Sequence, residues 1–402
     1  MKYREAEVVV ERVRENPELL LSEDYARVQC GGNWLIDLAV QMGPNCNRTC
    51  SHCYGGFGKH RKGLPSEGLV RKLLEDSLDA QLYTITLTDG EPMRLENKLV
   101  MGMFAEHSEK IPIAILTNGV FARTLDNATK WFEFLKDNGY DLGKEGNLIQ
   151  VSTGPTYKVH TKNYARLNWA LKETFPNVNP VQHLGYIYLG TNPESEEEKK
   201  GWDKLIQYVF NIFCRDDGKE GRVEGPKITD YGDSATYLYP VDSDKGIEIV
   251  YRFCDPDGGV SNFAVFGDEE VLKVEDLSFS PRTRSSLVVS SKGEVGFGDS
   301  QTCVGPAKIY GNVFEESLRR IKERIYDDPI YFANQLGSMR FLYSLAQEVD
   351  PSFVVRGRIK CDVCHEFYQR PGLVDAVRGK LKKQGIVKTF RDYISRELER
   401  VA

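Results

Sequence analysis

Apolar runs rich in β-branched residues alternate with amphipathic helical stretches through the first half of the chain, and no other feature narrows the fold as far. Strand-like runs at 35–42, 82–88, 111–117, 148–152 and 184–189 are followed by apolar residues at helical spacing at 67–78, 97–107, 125–138, 163–175 and 196–213. Strands separated by helices pair in parallel with the helices outside, in a sheet that is either open or curled into a barrel. In either form a site lies at the C-terminal ends of the strands. The period is lost over 215–250, where 246–251 offers the sixth strand that a partial barrel needs. Further on, 286–297 reads as a hairpin turning at Lys292 and Gly293. Asn312 is placed to cap a helix over 313–326, and a basic amphipathic helix is expected over 374–400 with a break at Gly385.

With 402 residues, 41% hydrophobic and 28% charged, the chain can bury a core and is not a disordered polymer. A net charge of −6 without a basic run argues against a nucleic-acid partner. No apolar stretch approaches the ~18 residues of a membrane span. Residues 1–6 turn polar too early for a signal peptide, so a cytoplasmic location is expected. Nine cysteines are then not a disulfide framework. Cys46, Cys50 and Cys53 share one loop after the first strand, a spacing that is rare by chance at a cysteine frequency of 9/402. Three thiolates on a tight loop converge on one metal. His52 or His60 would complete a four-ligand zinc site. A [4Fe–4S] cluster held by three thiolates would instead keep one iron open for a substrate or cofactor.

The loop resembles that of the radical S-adenosylmethionine (SAM) enzymes. The resemblance implies that Cys46, Cys50 and Cys53 hold a [4Fe–4S] cluster whose open iron chelates the amino and carboxylate groups of SAM. One electron then cleaves SAM to methionine and a 5′-deoxyadenosyl radical, which takes a hydrogen from the substrate. The family sets a residue, usually aromatic, against the adenine just before the last cysteine; here it is His52. Asp89, Gly90, Glu91 and Pro92 are similar to the family's Gly-Gly-Glu-Pro turn with the first glycine replaced, and Glu91 would accept from the SAM ammonium. Asn118, between Thr117 and Gly119, matches a turn after the third strand. Ser152, followed by Gly154, Pro155 and His160, resembles the segment whose serine bonds the ribose, although its aspartate is missing. Tyr164 stands where the family has an arginine, which leaves Lys162 or Arg166 for the methionine carboxylate. Gly190 would pass its backbone by the adenine.

A second cysteine set follows. Cys361 and Cys364 form a CxxC, with Cys303 and Cys254 upstream, and 293–318 looks like the auxiliary-cluster domains of the SPASM/twitch subgroup. Outside the first loop the chain has Cys30, Cys214, Cys254, Cys303, Cys361 and Cys364, which suits the twitch type with one auxiliary [4Fe–4S] cluster on the last four. Zinc on the same cysteines is the rival. Cys254 has a second possible role, as a catalytic thiol returning a hydrogen in a redox-neutral epimerase. The fold implied is α/β, a partial (β/α)6 TIM-like barrel over 35–250 behind an N-terminal segment 1–34, with a small α+β auxiliary-cluster domain and C-terminal helix over 251–402.

The expected activity is an oxidative modification, by dehydrogenation, crosslinking or decarboxylation, of a peptide or small molecule. A non-catalytic Fe–S or zinc scaffold is the alternative from another class. A flavodoxin or ferredoxin-type electron donor is the expected partner. The 45 residues before Cys46 are too few for a leader-binding domain, so a separate leader-peptide-binding protein or direct substrate recognition is expected.

Overall fold

The computed structural model describes residues 35–43, 46–47, 63–82, 84–144, 146–153, 161–178, 184–190, 200, 227–230, 234–242, 245–253, 285–298, 308–355 and 360–385. Five of its strands are those expected: β1 (Leu35–Gln41), β2 (Thr84–Thr88), β3 (Ile113–Thr117), β4 (Leu148–Thr153) and β5 (Leu184–Gly190). They pair in that order, all parallel. Between them lie α1 (Glu67–Asp79), α2 (Lys98–His107), α3 (Leu125–Asp137) and α4 (Thr161–Thr174). Ser66 caps α1 by accepting from the Leu69 amide at 3.1 Å, and Thr124 caps α3 from Asn127 at 3.1 Å. Each helix turns an apolar stripe inward: Leu69, Val70, Leu73 and Leu74 on α1, and Ala128, Trp131, Phe132 and Leu135 on α3.

The two faces of the sheet differ. Leu38 and Val40, Ile85 and Leu87, Ile113 and Ile115, Ile149 and Val151 are buried on one face. Their neighbours Asp37, Thr84, Thr86, Thr88, Gln150 and Ser152 are half-buried on the other. A parallel sheet with helices on both sides is apolar on both. A half-buried, hydroxyl-rich second face is what a sheet curled around a polar interior requires, and the arrangement is consistent with a partial TIM-like barrel.

The sheet extends further than the periodicity indicated. β6 (Lys227–Asp230) and β7 (Ser234–Asp242) form an antiparallel flap leading to β8 (Lys245–Phe253), which contains the expected sixth strand and runs parallel to β5. At the opposite edge the expected hairpin is present as β9 (Ser285–Val289) and β10 (Glu294–Gly298), and β9 pairs parallel with β1. With β11 (Gly311–Asn312) this makes one eleven-stranded sheet.

The helix expected from 313 starts later. Asn312 pairs with Glu294, and its Oδ1 accepts from the Phe314 amide at 3.0 Å, making a local turn. Ser317 is the true cap, of α5 (Leu318–Tyr326). Two further helices had not been expected, α6 (Pro329–Val349) and α7 (Lys360–Tyr368). The C-terminal helix begins at proline as α8 (Pro371–Lys383), and Gly385 follows it at φ +71°. The remainder of the span to 400 lies outside the described residues, as does the expected helix over 196–213, apart from Lys200.

Asp328 binds this half together. Its carboxylate caps α6 by accepting from the Ile330 amide at 2.9 Å, takes the Arg378 Nε of α8 at 3.1 Å, and accepts from the Tyr310 hydroxyl at 2.6 Å. Phe297 of β10 packs edge-on to Tyr331 of α6 at 4.9 Å and to Tyr368 of α7 at 6.4 Å. Among the described residues no helix is long and apolar enough to cross a membrane.

Candidate functional site

The residues singled out in the sequence follow the C-terminal ends of successive parallel strands. Cys46 comes after β1, Asp89, Gly90 and Glu91 after β2, and Asn118 after β3; Ser152 and Gly190 close β4 and β5. The residues that flank the cysteine segment, Gly43 and Gly63, meet at close range. Gly43, at φ +94°, lies so close to Gly63 that a Cβ on it would sit 2.0 Å from the Gly63 carbonyl oxygen. Only a residue without Cβ fits that conformation and approach. Gly43 and Gly63, on either side of the cysteine segment, are therefore held together.

A hydrogen-bonded chain runs from that segment across two strand ends. Cys46 is 9% exposed. The Asn118 amide nitrogen lies 3.9 Å from its sulfur and donates to Asn47 Oδ1 at 2.8 Å. Asn118 Oδ1 accepts from the Val120 amide at 2.9 Å, which fixes the side chain's orientation. The Asn118 backbone amide donates to Glu91 Oε2 at 2.8 Å, and Glu91 Oε1 takes the Thr117 hydroxyl at 2.5 Å and the Met93 amide at 3.0 Å. Asn97 closes the turn by donating to the carbonyls of Glu91 and Pro92 at 2.8 and 3.0 Å. Asp89 and Gly90 both adopt positive φ, +59° and +73°, to turn the chain away from β2.

Glu91 is where the structure departs most from expectation. It is 1% exposed, and its carboxylate is engaged by three donors of the fold itself. Thr117 shares its strand parity with Ile113 and Ile115, so the carboxylate is drawn to the buried face. Burial pushes the Glu91 carboxyl up to about 7, against the opposing pull of the Thr117, Asn118 and Met93 hydrogen bonds and the Arg94 charge. Glu91 is thus a brace between the turns after β2 and β3. The accepting groups such a turn offers a ligand are its backbone carbonyls.

Arg166 also departs from its expected place. Its guanidinium donates to the Arg123 carbonyl, at the end of the short turn after Asn118, while Tyr164 is buried in the core near Gly119. Ser152 is half-buried on the polar face, and Gly190 pairs in register with Phe253, the last residue of β8. His52, Cys50, Cys53, Cys254 and Cys303, with Cys30, Cys214, His60 and His160, lie outside the described residues. Cys361 and Cys364 fall on α7, and Cys364 is buried. Among the described residues no three of His, Cys, Asp and Glu converge as a metal site.

Sequence reasoning missed Asn47, Asn97 and Thr117, which complete the chain of bonds. It also missed Arg94, whose guanidinium is held by Glu96 at 2.7 Å and whose charge is felt by Cys46 and Glu91. Thr117 and Asn97 carried a signal, since polar residues at a strand end and before a helix are placed to bond turns.

The fold and site define an α/β protein with a parallel sheet and a cysteine-bearing loop at its strand ends. Residues 40–143 match the family model described as the Radical SAM superfamily. Among solved structures the chain is similar to BtrN in complex with AdoMet and 2-DOIA, at 14% identity over 76% of this chain and 89% of that one, TM-score 0.39. It is similar to Streptococcus suis SuiB bound to S-adenosylmethionine, at 14% over 75% and 68%, TM-score 0.38. It is also similar to anSMEcpe with bound AdoMet and Cp18Cys peptide, at 13% over 86% and 99%, TM-score 0.40. No curated protein sequence matches it.

Proposed function

We propose that the chain is a radical SAM enzyme that carries out an oxidative modification of a peptide or small-molecule substrate, with electrons from a flavodoxin or ferredoxin-type donor. The observation that carries this reading is the buried Cys46 sulfur facing the Asn118 amide at 3.9 Å, between the close pair Gly43 and Gly63, inside the segment that matches the superfamily model. The donor set fits an iron–sulfur cluster: three thiolates on one loop, with a side-chain N–H aimed at one sulfur, as sulfur-ligated clusters accept. Cys46, Cys50 and Cys53 would hold it. When bound, the cluster supplies the electron that cleaves SAM to the radical which takes the substrate hydrogen.

The protein's own residues bind, orient and exclude water. Asn118 orients the loop by tying Cys46 and Asn47 to the end of β3. Glu91 holds the turn after β2 against the turn after β3, so that the carbonyls of Asp89 and Gly90 meet the SAM ammonium. Ser152 takes a ribose hydroxyl, and Gly190 leaves room for the adenine. His52 would serve the same ring, as the resemblance of the cysteine motif implies. The half-buried threonines of β2 line the interior where the substrate enters.

Cys254, Cys303, Cys361 and Cys364 would hold one auxiliary [4Fe–4S] cluster, which would supply an acceptor for the electron of a net oxidation. Metal analysis after anaerobic reconstitution tests this part: about eight irons per chain are expected, four for each cluster. About four irons, or zinc in the second site, would limit the chain to the single SAM-binding cluster.

A further inference from the structure

Lys308 is 1% exposed, among the most deeply buried large side chains of the described residues. Its Nζ sits 4.8 Å from the Phe297 ring centroid, 4.6 Å from the Tyr368 centroid and 3.9 Å from Cys364 Sγ. Lysine is almost never buried to this extent without a counter-charge. Two ring faces compensate part of the cost of removing a cation from water. Neither is an anion. The third contact is a sulfur, and a neutral thiol is a weak acceptor. A thiolate bound in an anionic cluster is a much better partner for a desolvated ammonium.

The chain around this contact is that of the second cysteine set. Cys364 is itself buried, Cys361 is three residues earlier in the chain, and Cys303 precedes Lys308 by five residues.

We propose that Lys308 is a positioning residue for the auxiliary cluster, donating an N–H···S bond to the Cys364 ligand and setting the cluster's reduction potential. The inference rests on the auxiliary cluster proposed above. Reduction adds one electron and makes or breaks no bond, so the reduced cluster is more negative by one charge. A cation held 3.9 Å from a ligand sulfur in a dry interior favours that state and raises the potential. A higher potential makes the cluster a better acceptor for the electron left by substrate oxidation.

The test is a dithionite titration of the reconstituted full chain followed by electron paramagnetic resonance, comparing wild type with Lys308→Met, which keeps the side chain's length and apolar contacts. Iron should stay at about eight per chain. At a fixed potential, the oxidised-to-reduced ratio of the auxiliary cluster should rise at least tenfold, a fall of about 59 mV for one electron. The SAM-binding cluster should not move. Eight irons with an unmoved auxiliary potential overturns the inference alone. A wild-type chain with about four irons overturns the auxiliary cluster itself and is seen before any variant is made. Should Lys308→Met fail to fold or lose iron, wild type labelled with 15N-lysine decides. Nitrogen modulation from lysine on the reduced auxiliary cluster supports the contact, and its absence overturns it.

Discussion

Glu91 joins two turns through one carboxyl group, and its environment makes stability depend on pH. Its folded pKa is raised by burial from 4.5 to about 7. Folding therefore favours the protonated form, the group's contribution is fully present below pH 4.5, and it is lost as pH rises through 7. The shift corresponds to about 3 kcal/mol at most. Thr117 accommodates both states, because its hydroxyl accepts a proton donated by the acid and donates to the carboxylate. Denaturant unfolding from pH 5 to 8 should show wild type losing stability across this window relative to Glu91→Gln, which cannot titrate. Parallel curves would show that Glu91 does not titrate there. At the strand end of β4, Ser152→Ala should weaken SAM binding by about 1 kcal/mol, the value of one neutral hydrogen bond. Unchanged affinity by calorimetry would remove Ser152 from the pocket. The residue types at these positions were legible because chemistry restricts them. The direction of the Glu91 side chain was not, since Thr117 decides it from a different strand 26 residues away.

The elements most legible in the sequence were β1 to β5, α1 to α4 and the β9–β10 hairpin, because each has a clean period or a Gly-containing turn. β6 and β7 were not read. Pro240 and a register shift between Pro240 and Asp242 interrupt the alternation of β7, and β6 has four residues. The start of α6 was available, as Asp328 before Pro329. Two predictions belong here. Asp328→Ala removes the α6 cap and leaves Arg378 and Tyr310 without their carboxylate, which should cost about 3 kcal/mol. Asp328→Asn, which keeps the cap but not the charge, should cost less; equal losses in denaturant unfolding would show that the charge carries the stabilisation and the cap adds nothing. Gly43→Ala places a Cβ against the Gly63 carbonyl and should part the two glycines that flank the cysteine segment. Iron bound by the SAM-binding cluster should fall while the circular dichroism of the barrel is kept. Full iron content in that variant would mean that their contact is not what positions the cysteines.

Over the whole molecule, a single sheet sets Cys46, Glu91, Asn118, Ser152 and Gly190 at the C-terminal ends of β1 to β5. β8, before Cys254, pairs with β5, and the β9–β10 hairpin, before Cys303, pairs with β1. The repeating strand–helix pattern made the first half legible. The joining of 285–298 back onto β1 was not, because pairing between strands some 250 residues apart leaves no local periodicity. The resulting interior is polar and half-buried, and the Cys46 loop stands at its strand-end rim. The central claim is that this rim holds a cluster that cleaves SAM. The direct measurement is 5′-deoxyadenosine formed from SAM under dithionite by the reconstituted chain, beside a variant with Cys46, Cys50 and Cys53 all replaced by Ala. Wild type should release 5′-deoxyadenosine and the triple variant none above background. Cleavage retained in the triple variant, or absent from iron-loaded wild type, would contradict the claim.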